Sequence, residues 1–170
     1  MAESVLNNKT ILAVDDEPDI LAVLEEEILA YAPDCKIEKA TTYQEATQKL
    51  ESQNYDAVVL DIMGVRGFDL LDQAVKKNFR VAMLTAHSLN PESLKRSIEM
   101  GARAYLPKAK MEEIVPFLED VLEEDDTLFG WGRVMNKLEG YFTSRWGEYW
   151  QKAEATFWKD FKKKIYGSKS

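Results

Sequence analysis

Only one cysteine, Cys35, occurs in the chain, so no internal disulfide can form. That suits a reducing compartment. No apolar run approaches the roughly 18 residues that a bilayer-spanning helix needs. The N-terminal stretch MAESVLNNKT lacks the basic-then-apolar pattern of a secretory signal. A soluble, cytoplasmic protein is expected. Positive charge is scarce too: 22 Lys and Arg stand against 30 Asp and Glu, a net charge of −8. Such a chain matches a nucleic-acid backbone poorly, and no DNA partner is expected. Internal repeats and low-complexity segments are absent.

Hydrophobic residues make up 45% of the 170 positions, enough for a packed core and too many for global disorder. The length suits one domain of ordinary size with an appendage. Charge is distributed unevenly. Residues 126–170 hold nine Lys and Arg and five acids, a local charge of +4, which leaves −12 on residues 1–125. All four tryptophans lie beyond residue 130. The acidic run EEDD (123–126) marks the junction, so the chain divides into a domain at 1–125 and an extension at 126–170.

Within the first region, strand and helix patterns alternate. TILAVDD (10–16) is a short apolar run ending in acids. Pro18 opens a helical pattern through Leu29, a position that proline tolerates. CKIEKAT (35–41) alternates as a strand, and Thr42 with Glu45 has capping-box spacing for a helix to Leu50. AVVLDI (57–62) is a third strand, GVRG (64–67) a loop, and Phe68 to Lys77 a helix. RVAMLTA (80–86), a capped helix over 90–102, RAYLPKA (103–109) and a helix from Glu112 to Glu124 complete the series. Five strands alternating with helices predict an α/β fold, a parallel sheet covered on both faces.

Functional sites of such sheets form at the carboxyl ends of the strands. Asp15 and Asp16 stand at the end of the first strand, Asp61 the third, Thr85 the fourth and Lys108 the fifth. An ionised carboxylate at the tip of the apolar run AVVL is costly without compensation. Three carboxylates in one pocket also repel one another, which a hard divalent cation such as Mg²⁺ relieves. Lys108 adds a second compensating charge and Thr85 a hydroxyl. Together they form a cradle for a phosphoryl group, with Asp61 able to act as nucleophile.

VDDE, VVLDIM, MLTA and YLPK, in this order and spacing, resemble the receiver domain of two-component response regulators over roughly residues 8–122. The resemblance implies a flavodoxin-like, doubly wound (βα)5 sheet of strand order 2-1-3-4-5. It implies that Asp61 accepts phosphate from a histidine kinase or phosphotransfer protein. Asp15, Asp16, Asp61 and the backbone carbonyl of Met63 would hold Mg²⁺, and Thr85 and Lys108 would bind phosphoryl oxygens. Tyr105 falls at the switch aromatic, which would turn inward as Thr85 moves toward the phosphate and so change the surface of the fourth helix, fifth strand and fifth helix. Two departures stand out. The loop in DIMGVRGFDLL is about two residues shorter than usual and lacks a proline. Ala109 follows Lys108 where the family often has proline. His87, two residues past Thr85, is expected as an exposed loop residue, and Cys35 as a packed one.

In the extension, Trp131, Val134, Met135, Leu138, Phe142, Trp146, Tyr149, Ala153, Phe157, Phe161 and Ile165 recur in steps of three and four. That is one broad helical stripe. Gly140 and Gly147 weaken it or mark a bend. So aromatic a stripe needs a cover: the receiver, a second copy in a homodimer, an unknown downstream protein or, with its lysines, an anionic membrane surface. The charge contrast favours a receiver. The function expected is a signalling protein and not a turnover enzyme. It acts through the receiver surface and the C-terminal helix, or else serves as a phosphorelay shuttle or phosphate sink whose extension only packs or dimerises. A phosphohydrolase reading needs an acid two residues after Asp61, where Met63 stands.

Overall fold

The computed structural model describes residues 4–125 and 127–166; Asp126 and Lys169 of the sequence-based charge count lie outside them. Five parallel strands form one sheet of order 2-1-3-4-5, as expected. They are β1 (Thr10–Val14), β2 (Lys36–Ala40), β3 (Ala57–Asp61), β4 (Arg80–Thr85) and β5 (Ala104–Pro107). The central β3 is buried along its whole length, which explains its unbroken apolar run. Between and after the strands lie α1 (Pro18–Tyr31), α2 (Tyr43–Ser52), α3 (Gly67–Lys76), α4 (Pro91–Glu99) and α5 (Ile114–Glu123). α1 packs with α5, and α2 with α3.

Local chemistry fixes several boundaries. The Thr42 hydroxyl accepts from the Glu45 amide at 3.1 Å, and the Glu45 carboxylate reaches back to the Thr41 amide at 2.9 Å. The Asn90 side chain caps α4 by accepting from the Ser93 amide at 2.7 Å, with Pro91 in the first turn. The fifth helix starts later than its sequence pattern suggests. Lys108–Glu113 form a 3-10 turn, so Lys108 lies just past β5 and Glu112 precedes α5.

The extension is not one helix. α6 (Thr127–Trp146) and α7 (Ala155–Tyr166) are separated at Gly147, whose φ of +90° suits glycine. Gly140 sits inside α6. The break takes Tyr149 out of the apolar stripe, and it is 64% exposed. Ala153 is exposed as well, and the α6 part of the stripe folds back on the receiver. Trp131, Met135, Leu138 and Phe142 of α6 are buried, and Trp158, Phe161 and Ile165 of α7 close over α6. The Trp131 indole N–H donates to the Ala102 carbonyl at 2.9 Å. Arg133 and Lys137 reach the Asp120 carboxylate of α5 at 3.2 and 2.7 Å. Lys95 of α4 pairs with Glu154 at 3.1 Å. α6, with the residues that follow it, thus lies over β5 and touches both α4 and α5. No helix among the described residues is long and apolar enough to cross a membrane.

Trp131 and Trp158 are the largest fully buried side chains among the described residues. Trp131→Ala should destabilise the protein by about 3–5 kcal/mol, read as a lower denaturant midpoint in unfolding followed by circular dichroism.

Candidate functional site

Register brings the strand ends together. β1 and β4 both flank β3, so Asp15, Asp61 and Thr85 emerge side by side, and β5 delivers Lys108 from the edge. Asp15, Asp61 and Thr85 are buried, whereas Asp16 is exposed at the rim. One carboxylate oxygen from each of Asp15, Asp16 and Asp61 lies within 4.8 Å of the others. The Lys108 Nζ sits 2.8 Å from Asp15 Oδ2 and 3.2 Å from Asp61 Oδ1. Glu17, the last residue of the VDDE stretch and not among the expected site residues, approaches the same ammonium at 3.7 Å. The backbone peptide bonds here are all trans.

The electrostatics follow from burial and proximity. Burial and the neighbouring Asp15 charge push the Asp61 carboxyl up from its usual 3.8 to about 6, against the pull of Lys108. Burial also raises Asp15, although the Lys108 ammonium and the Glu17 amide oppose it. Burial works against the Lys108 ammonium, but its two carboxylate partners outweigh that and hold its pKa above the ordinary value. One ammonium therefore does not neutralise this pocket. Asp15 Oδ1 accepts from the Glu17 amide at 2.9 Å, and its Oδ2 meets only the Lys108 ammonium, which it shares with Asp61. Three carboxylates around a single ammonium leave oxygen donors for a hard cation, so the donor set fits Mg²⁺.

Two glycines shape the pocket floor, and the short loop depends on them. Gly64 has φ of +86°, and a Cβ there would stand 2.5 Å from the Asp16 carboxylate. At Gly67 a Cβ would overlap the Asp61 carbonyl oxygen and come within 2.7 Å of Ile62 Cα. The Gly67 amide donates to the Ile62 carbonyl at 3.0 Å. α3 thus begins directly against the end of β3, which is possible only without side chains at these positions. Met63, just before Gly64, has a side chain 54% exposed.

Thr85 Oγ1 accepts from the Ser88 amide at 3.0 Å. That leaves its own proton free to be donated. Tyr105 is fully buried, its hydroxyl 2.6 Å from Ser93 Oγ and within 3.3 Å of the Ser88 carbonyl. The Tyr105 ring also packs edge-on against Phe142 of α6, 5.9 Å between centroids. His87 is exposed, as expected, and Cys35 is buried with its thiol pushed up to about 11.

Fold and pocket together define a flavodoxin-like protein with an acidic site over its central strands. The sequence profile of the response regulator receiver domain matches residues 11–119, and the chain belongs to that family. TrrA of Thermotoga maritima, solved in complex with Mg²⁺-BeF, is 34% identical; the match covers 67% of this chain and 99% of that one, with a TM-score of 0.58. A CheY-like receiver domain protein from Methanospirillum hungatei is 25% identical over 69% of this chain and 98% of its own, with a TM-score of 0.57. DrrB of Thermotoga maritima, 23% identical with a TM-score of 0.58, shares the fold over 68% of this chain, which spans about half (52%) of DrrB. No curated protein matches the chain significantly. Receiver domains are phosphoacceptor signalling modules that bind Mg²⁺ at an acidic pocket of this kind.

A carboxyl with a pKa raised to about 6 binds its proton more tightly folded than unfolded. It favours folding below about pH 4, and that contribution is lost as pH rises through 6. Without divalent cations, Asp61→Asn should therefore melt higher than the parent chain at pH 7.5. The difference should shrink toward pH 4.5 in differential scanning calorimetry.

Proposed function

We propose that the chain is a two-component response regulator whose Asp61 accepts a phosphoryl group. Residues 1–125 form its receiver and 126–170 its extension. The observation carrying this reading is the buried Asp61 carboxylate, 3.2 Å from the Lys108 ammonium and within 4.8 Å of two further acids. An Asp61 oxygen attacks the phosphorus of a phosphohistidine on a histidine kinase or phosphotransfer protein. The P–N bond breaks, the imidazole leaves with its electron pair and takes up a proton, and an aspartyl phosphate remains. Lys108 offsets charge on the transferring oxygens and Thr85 donates its hydroxyl proton to one of them. Asp15, Asp16, Asp61 and the Met63 carbonyl would hold Mg²⁺. That ion supplies electrostatic stabilisation of the transferring group.

The product is a signal rather than a turnover product. Met63, half exposed, offers no general acid to hydrolyse the acyl phosphate. The protein acts in the cytoplasm, and its output is a protein contact. A second reading, a phosphorelay shuttle or sink, is favoured by one observation: α6 buries its stripe on its own receiver. Dimerisation through that stripe would require α6 to leave.

Incubation with phosphoramidate and Mg²⁺ should add one hydroxylamine-labile phosphoryl group, read by intact mass, and Asp61→Asn should take up none. Lys108→Ala should slow uptake by about 10²–10³-fold. Gly64→Ala should weaken Mg²⁺ binding in calorimetry by displacing Asp16. Onward transfer to a second histidine-bearing domain would select the shuttle.

A further inference from the structure

α6 grips the segment that positions Thr85. This segment, Ser88 to Asn90, is held from four sides. Its Ser88 amide donates to Thr85 Oγ1 at 3.0 Å. Its Ser88 carbonyl accepts from the Tyr105 and Ser93 hydroxyls. Its Leu89 carbonyl accepts from the Trp146 indole of α6 at 3.2 Å. Phe142 stacks on Trp146 at 4.5 Å and presses edge-on against the Tyr105 ring. While α6 is docked, Phe142 covers the Tyr105 ring.

We propose that α6 is the resident ligand of the α4–β5–α5 face, and that its docking and phosphoryl-group binding at Asp61 strengthen one another through Tyr105 and Ser88–Leu89. The inference rests on the phosphoacceptor reading above. The sign follows from order. With α6 docked, Thr85 is held by the Ser88 amide with its proton free for an oxygen in the pocket. With α6 released, Tyr105 and the segment sample other positions, and only a fraction of molecules present Thr85 correctly. Apparent affinity falls by that fraction. Linkage then requires an anion at Asp61 to tighten α6 by the same factor. Charge supports the occupant: Arg133 and Lys137 meet Asp120, and Lys95 meets Glu154.

The test uses the full chain with Mg²⁺ and beryllium fluoride. Calorimetry should give Phe142→Ala an affinity about fivefold or more below the parent chain. Hydrogen exchange on the parent chain, which needs no variant, should show α6 amides slowing when beryllium fluoride binds. Tyr105→Phe keeps the ring against Phe142 but loses the hydroxyl, and should reduce that slowing. Binding with unchanged α6 exchange, or with equal affinity in folded Phe142→Ala, overturns the inference and leaves the phosphoacceptor reading standing. No binding of beryllium fluoride to the parent chain overturns the phosphoacceptor reading itself, and the inference with it.

Discussion

Everything in this molecule is arranged around one ammonium buried among carboxylates. Lys108 reaches Asp15 and Asp61 from the turn after β5, where burial works against every charge present. Two ionised acids and a lysine in so little solvent are stable only if the backbone that carries them cannot drift apart. Parallel strand pairing supplies that rigidity: adjacent strands end at the same height, and the acids of β1 and β3 cannot separate without breaking the ladder. The pocket nevertheless remains short of positive charge. That shortfall gives it an appetite for a cation and, with the cation, for an anion.

The sheet and pocket were readable in the residues because short-range rules and tertiary demands agree there. The apolar run of β3, the caps at Thr42 and Asn90, and acids at strand ends each say the same thing locally and globally. Asp15, Asp16, Asp61, Thr85 and Lys108 do converge. What escaped was set by shape. Gly67 looks like any loop glycine until the Asp61 carbonyl is seen against it. Glu17 was hidden because an acid directly after the Asp15–Asp16 pair and just before Pro18 looks like solvent-facing helix entry. Gly67 had a signal in the unusually short loop, since closing a turn in fewer residues demands positions without a Cβ.

The extension was legible in composition but not in path. Steps of three and four continue through Gly147, so periodicity alone reads one long helix, whereas the positive φ at that glycine makes two. Nor does an aromatic stripe name its partner. The stripe's cover turned out to be the strand that carries Tyr105, with α4 and α5 on either side. The acidic excess of the first region reappears as specific pairs, Asp120 with Arg133 and Lys137 among them. The partly exposed pairs contribute little each, so the buried indoles and Phe142 carry the contact.

The connection between α5, ending at Glu123, and α6, beginning at Thr127, is three residues long. A helix on so short a leash is never diluted. Its concentration near its own face is set by the tether and does not change with expression level. Any protein that reads the α4–β5–α5 surface must therefore outcompete an occupant that cannot diffuse away. Weak or incidental binders are screened out at every dose. A genuine partner is selected by its ability to replace buried tryptophan and phenylalanine with something better, or by recognising the helix and the receiver together.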